Sequence, residues 1–144
     1  MTISQNQDKV QDIVQTITID ADIQKVWNFV STSDGIAAWF MPNNFEAKLG
    51  HEFHLQSPFG PSPCKVTEIN PPHKLAFDWD TEGWFVTFSL QEVNGKTEFT
   101  IVHGGWKAND ELIGKANEKS AIIRDRMNQG WGGIVQKLKK EAEA

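Results

Sequence analysis

The sequence predicts an α+β fold, and three observations carry the prediction. Residues 43–103 run in short alternating stretches separated by turn residues, which is strand spacing. Ahead of them stand one β-branched run and two short segments of helical spacing. Behind them, from about residue 117, helical spacing returns and continues almost to the end. A chain of 144 residues has the usual size of one domain and can bury roughly two-thirds of its unfolded surface.

Residues 1–11 (MTISQNQDKVQ) are polar and aperiodic and are expected to form a flexible N-terminal tail, leaving residues 12–144 as the folded domain. Ile13, Gln15, Ile17 and Ile19 share one face of an extended segment, with Val14, Thr16 and Thr18 on the other, so the first element is a strand. Asp20 offers an N-cap. Ile23, Val26, Trp27 and Val30 then recur on one stripe of a helix over about 21–31. A second helical turn is expected over 34–40, stopped by Pro42, because the residue before a proline is pushed out of helical geometry. Trp39, Phe40 and Met41 form the corner.

Turn signals at Leu49-Gly50, at 58–63, at Asn70-Pro71-Pro72, at Glu82-Gly83 and at Asn94-Gly95 divide the middle of the chain into a meander of about six strands, so that the sheet has about seven. Asn94-Gly95 is the sharpest of these signals, since Asn-Gly is the preferred two-residue hairpin turn. Alternation groups His51, Phe53 and Leu55; Leu75, Phe77 and Trp79; Trp84, Val86, Phe88 and Leu90; and Phe99, Ile101 and His103 on faces that can share one interior. Residues 104–115 read as a connection, with Trp106 inside it as a mouth residue or a dimer contact. Ile123, Met127, Trp131, Ile134 and Leu138 make the stripe of the last helix, whose basic end (Lys137, Lys139, Lys140) suits the helix dipole. Gly130, Gly132 and Gly133 interrupt it at a cost of roughly 1 kcal/mol each against alanine, which close helix-to-sheet packing or room for a ligand would explain.

Six tryptophans and nine phenylalanines with no tyrosine describe an interior rich in flat apolar surface and poor in hydroxyls. A formal charge of −5 with no basic stripe argues against nucleic acid or an anionic membrane as partner. The single Cys64 forms no intramolecular disulfide, no apolar run reaches the roughly 20 residues that cross a bilayer, and the polar start lacks a signal-peptide core. A soluble, cytoplasmic protein is expected. His51 and His54, three apart in a strand, point to opposite faces, so no metal is expected, and no glycine-rich phosphate loop supports a nucleotide. Alternation also sends Glu52, Asp78 and Asp80 outward, and Arg124 and Asp125 read as exposed helix charges.

The order of elements resembles the START-like (SRPBCC) helix-grip architecture. Ile17-Thr18-Ile19-Asp20-Ala21, Val26-Trp27, Ala38-Trp39-Phe40-Met41-Pro42, Val66-Thr67-Glu68-Ile69, the run from Leu75 to Trp79, Ile101-Val102-His103 and Gly130-Trp131 are similar to the motifs of its activator-of-heat-shock-ATPase homologue (AHSA-type) branch. The resemblance covers about residues 13–140, and over 53–65 and 114–120 it is nearest to a Bacillus-type subgroup. It implies a curved antiparallel sheet wrapped around the long C-terminal helix, with two short helices after the first strand and a cavity between sheet and helix. In that superfamily the cavity holds lipids, polyketides, sterols or phenolics, but the same scaffold also carries enzymes and co-chaperone domains.

The inward residues then become the candidate ligand site: Trp39, Phe40, Phe53, Phe77, Trp79, Trp84, Phe88, His103, Trp106, Met127 and Trp131. Two readings of this set stand side by side, an ordinary filled core and a lined cavity. His103 is the one titratable side chain in phase with the aromatic face, and it reads as a polar anchor for a ligand, as an acid or base, or as a core histidine. A cyclase-like enzyme would need a second polar group beside it, and alternation supplies none. The expectation is a non-enzymatic carrier or sensor, without cofactor, that is a monomer or weak dimer and binds a small apolar ligand. A flat aromatic of polyketide or flavonoid type, or a lipid, fits best; a co-chaperone module with a chaperone partner is the alternative.

Overall fold

A computed structural model describes residues 10–57, 60–108, 111–113 and 118–144. The expected tail therefore lies almost wholly outside the described residues. Strand β1 (Ile13–Ile19) is followed by helices α1 (Ile23–Val30) and α2 (Ser33–Trp39), then by β2 (Glu52–Ser57), β3 (Gly60–Asn70), β4 (Lys74–Trp79), β5 (Trp84–Val93) and β6 (Lys96–Gly104). A short pair, β7 (Leu112–Ile113) and β8 (Glu118–Lys119), precedes the long helix α3 (Ser120–Glu143). The large sheet is antiparallel throughout in the order β1-β6-β5-β4-β3-β2, so the first strand closes against the last strand of the meander.

The sheet has six strands rather than about seven. The run beginning at Asn43 contributes only a single bridge, Asn43 to Leu55. Its own side chain accounts for this: the Asn43 amide donates to the Ser33 and Met41 carbonyls at 3.1 and 2.9 Å and accepts from the Phe45 N–H at 2.9 Å, which holds a turn instead of a ladder. The proline-rich stretch 58–63, read as a turn, is partly strand. Pro61 and Pro63 stand in β3 opposite Gln56 and His54. The Pro63 carbonyl accepts from Asp80 N–H on the side away from β2, so the missing proline N–H groups face the side where no ladder partner is lost. Beyond them a bulge between Val66 and Glu68 shifts the inward phase of β3, so that Ile69 resumes the face that Val66 leaves.

Two helix ends differ from expectation. Asp22, not Asp20, caps α1, accepting from Lys25 N–H at 2.9 Å, because a turn at Ile19–Ala21 delays the helix. Helix α2 is capped by Thr32 and runs one residue ahead of the expected 34–40 at both ends. The Asn94-Gly95 turn forms as predicted, with both residues at positive φ (54° and 80°), the signature of a primed hairpin turn.

Helix α3 buries Ser120, Ile123, Trp131, Val135, Leu138 and Ala142 against the sheet, with Met127 and Ile134 half-buried, so Val135 takes the place expected for Ile134. Neither expected reason for its three glycines holds. A methyl group added at Gly130 or Gly133 would meet nothing, and at Gly132 only the Gln15 amide oxygen at 3.9 Å. Gly130 and Gly133 lie on the exposed side of the helix, and Gly132 is half-buried beside β1. Arg124 is not a free surface charge: its guanidinium donates to the Gln11 and Asp12 carbonyls at 3.1 and 3.3 Å. Gln15 donates to the Asn128 carbonyl at 2.8 Å and Lys139 to the Thr18 carbonyl at 2.9 Å, so polar contacts fasten α3 along β1.

Candidate functional site

The centre of the site is a histidine enclosed by tryptophans. His103, on the inward face of β6, is fully buried, with ring centroids 5.2 Å from Trp79, 5.1 Å from Trp84, 4.6 Å from Trp106 and 6.2 Å from Trp131. The Trp131 indole N–H donates to its Nδ1 at 3.0 Å. That bond fixes the tautomer: Nδ1 is the acceptor, so in the neutral ring Nε2 carries the proton. Burial pushes the imidazole down from 6.5 to about 3, which keeps it neutral at physiological pH. Trp106 donates its indole N–H to the His103 carbonyl at 2.9 Å and packs its ring at 4.9 Å from Trp84, so it is part of this cluster rather than an exposed residue of a connection.

Beside the cluster lies a cavity of about 90 Å³, lined by Ser57, Ser62, Trp79, Asp80, Glu82, Trp84, Ile113, Ile123, Arg126 and Met127. Its floor is the end of the β4–β5 hairpin, where Trp79 and Trp84 face each other across the ladder. Its roof is the first two turns of α3, through Ile123, Arg126 and Met127, with Ile113 of the small β7–β8 pair at the side. The walls are mainly hydrocarbon and indole, and the charges at the rim are matched. Arg126 forms a forked pair with Glu118 at 2.7 and 3.0 Å, which lowers the Glu118 carboxyl's pKa. Glu82 pairs with Lys107 at 2.6 Å, a bond that raises the Lys107 pKa.

Three buried donors in this region have no partner among the described residues: Trp79 Nε1, Trp84 Nε1 and His103 Nε2. A buried N–H left unmade costs about 1–3 kcal/mol, so three together in one place demand a reason. Two of them belong to the cavity walls, Trp79 and Trp84, and the third lies one ring behind.

Of the eleven residues expected at the ligand site, Trp79, Trp84 and Met127 line this cavity. His103 and Trp106 pack behind Trp84. The remaining six form a contiguous ring-on-ring core: Trp39 contacts Phe40 and Phe88, Phe53 contacts Phe77, Phe77 contacts Phe88, and Phe40 lies 4.9 Å from Trp131. Alternation was right that Phe53, Phe77 and Phe88 face inward, and packing with Trp39, Phe40 and Trp131 fills the space between them. The residues missed are Ser57, Ser62, Asp80, Glu82, Ile113, Ile123 and Arg126. Asp80, assigned to solvent by phase, does lie on the outer face beside Glu52 and Asp78, and because it follows the last residue of β4 with a left-handed backbone (φ 63°) it also reaches the cavity rim. Arg126 had a readable signal, since it stands three residues after Ile123 on the stripe and next to Met127.

Other candidates fall away. Cys64 is buried and its thiol is pushed up to about 12, chiefly by desolvation, so it is no nucleophile. Among the described residues no three His, Cys, Asp or Glu side chains come together to hold a metal, and no helix is long and apolar enough to cross a membrane.

Residues 20–143 match the family model described as Activator of Hsp90 ATPase homolog 1-like protein. The chain belongs to that family. Its fold is shared at 49% identity with protein BH1534 of Bacillus halodurans, with a TM-score of 0.88 over 95% of this chain and 99% of that one. At 20% identity it is also similar to MLL2253 of Mesorhizobium loti, TM-score 0.77 over 90% of this chain and 95% of that one. The Aha1 dimer of Colwellia psychrerythraea, also 20% identical, gives a TM-score of 0.76 over 93% and 97%. No protein of curated function matches the chain. Within this Hsp90-activator-like family the motif residues have structural work to do here: Trp39 donates its indole N–H to the Phe29 carbonyl at 2.9 Å, and Trp131 holds the His103 ring.

Proposed function

We propose that this protein binds a small, largely apolar ligand in the cavity between the β4–β5 hairpin and the first turns of α3, and acts as a carrier or sensor rather than an enzyme. The observation that carries the reading is the partly open apolar space with unpartnered buried donors at its edge. At about 90 Å³ the space is smaller than the roughly 150 Å³ cavity that takes benzene in an engineered protein core. A flat aromatic of polyketide or flavonoid type, or a lipid chain, must therefore displace part of the wall. Half-buried Met127 is the side chain best able to repack, because its unbranched thioether has three rotatable bonds. A ligand of about 20 heavy atoms at roughly −0.3 kcal/mol per atom would bind with a dissociation constant of tens of micromolar.

Against turnover stands the surrounding of His103. Its Nδ1 is occupied by a tryptophan donor and no carboxylate orients its ring, so the acid–base pair that a cyclase mechanism needs is missing among the described residues. The test is a titration of the isotopically labelled protein with fatty acids, sterols, flavonoids and aromatic polyketides, following amide shifts. Saturable shifts at Trp79, Trp84, Ile113, Ile123 and Met127 for one chemical class are expected; unchanged shifts there with every class would overturn the reading.

The family description supports a second reading, regulation of a heat-shock ATPase by the outer surface of the domain. It predicts an increase in the ATP hydrolysis rate of an Hsp90 partner that survives filling of the cavity. No change in that rate removes it.

A further inference from the structure

We infer that the ligand presents an uncharged hydrogen-bond acceptor, a carbonyl oxygen on an otherwise apolar body, to the indole N–H groups of Trp79 and Trp84. The inference rests on the cavity being the ligand site and adds the chemistry of what it selects.

The polar groups around the cavity are unequal in what they lack. Arg126 already holds Glu118 through two short bonds, and Glu82 already holds Lys107. With Glu82 Oε1 met by the Lys107 ammonium at 2.6 Å, the buried atoms that remain without a partner among the described residues are donors: the indole N–H of Trp79, that of Trp84 and, one ring behind them, Nε2–H of His103. All three side chains are more than nine-tenths buried, at 3%, 6% and 0% exposure. An indole nitrogen donates and never accepts, and the Trp131 bond leaves His103 Nε2 as a donor too. The complement of a set of donors is an oxygen with lone pairs.

Charge then separates the oxygens. A carboxylate would have to enter a cavity whose rim carries Asp80 and Glu82, with Arg126, the one cation among the lining residues, already committed to Glu118. Removing that anion from water with no free counter-charge costs more than two neutral N–H bonds return. A hydroxyl can accept too, but its own proton must then reach an acceptor at the rim, such as the Asp80 or Glu82 carboxylate, while its oxygen stays at the indoles. A ketone or aldehyde oxygen needs only two donors, whose nitrogens are closed off from the space and are reached through the wall displacement that ligand entry requires, and its carbon body suits walls made of Trp79, Trp84, Ile113, Ile123 and Met127. Planar carbonyl compounds also lie well along indole faces.

The experiment compares three probes of nearly one shape: acetophenone, α-methylstyrene, in which CH₂ replaces the oxygen, and benzoate. The indole Nε1–H resonances are followed by NMR and assigned from the spectra of Trp79→Phe and Trp84→Phe. Acetophenone is expected to bind about tenfold more tightly than α-methylstyrene and to move at least one of the two indole protons downfield, with benzoate weakest. Replacing the tryptophan whose proton moves should bring acetophenone down to the affinity of α-methylstyrene without weakening α-methylstyrene to the same degree, a change of selectivity that loss of packing alone does not produce. Equal binding of the first two probes overturns the inference and leaves the cavity reading standing, and so does benzoate binding most tightly. No binding of any probe at saturating concentration overturns the cavity reading and the inference with it.

Discussion

Acidification should destabilise this domain through His103, and the size of the effect follows from its position. In the folded chain the imidazole is buried, accepts a hydrogen bond at Nδ1 and takes up a proton only near pH 3; in the unfolded chain it does so at its ordinary value of 6.5. Between those values the unfolded state binds one more proton than the folded state, so stability falls as pH falls, by about 1.4 kcal/mol per pH unit. The contribution is intact above pH 6.5 and is lost progressively below it. From pH 7 to pH 4.5 the loss amounts to about 2.5 kcal/mol, an appreciable part of the 5–15 kcal/mol that holds a domain together. Protonation at Nδ1 would also set imidazolium N–H against the Trp131 indole N–H, so the cost has a structural counterpart. Other side chains titrate over the same range, and subtraction removes them. Urea unfolding of wild type and His103→Phe at pH 7, 5.5 and 4.5 should show the stability difference between the two proteins shrinking by about 2.5 kcal/mol, in the direction of wild type losing ground. His103→Gln serves the same purpose if the Phe variant does not fold. A difference independent of pH would refute the reasoning, as would a His103 ring resonance that titrates near pH 6.5 in the folded protein.

Three further outcomes are expected from urea midpoints. Gly105→Ala should destabilise by more than about 3 kcal/mol, because a Cβ there would sit 2.1 Å from the Gly83 carbonyl oxygen on a backbone of φ +81°. Gly130→Ala and Gly133→Ala should each stabilise by roughly 0.5–1 kcal/mol, since both positions are helical and a methyl group meets nothing. Trp131→Phe should cost about 2–4 kcal/mol, combining lost volume in the core with an unpaired His103 Nδ1.

The faces of β4, β5 and β6 were legible because a period of two assigns each side chain to one side of a sheet, and Leu75, Phe77, Trp79, Val86, Phe88, Phe99, Ile101 and His103 all lie where that period puts them. The β5–β6 hairpin was legible because Asn-Gly has few alternatives. Phase alone, however, says nothing about volume. Whether Trp39, Phe53, Phe77 and Phe88 line a space or fill it depends on ring packing between elements far apart in the chain, and here they fill it. The cavity arises instead where Trp79 and Trp84 meet at a hairpin end and the first turns of α3 cross above them, a juxtaposition that no local pattern encodes. Asp80 was placed on the outer face, where it does lie, but its second contact with the cavity rim was not legible because alternation ceases to apply once the backbone turns left-handed. The outer-face glycines of α3 were read as contacts because glycine in a helix usually marks close approach, and the structure supplies no contact there.

The claim that the space beneath the start of α3 is the ligand site is tested most directly by intermolecular NOEs from a bound apolar ligand to assigned methyl groups. The account predicts NOEs to Ile113, Ile123 and Met127, on the cavity wall. NOEs confined to the exposed Val14, Leu49 or Leu112 would contradict it, because they would place the ligand on the outer surface.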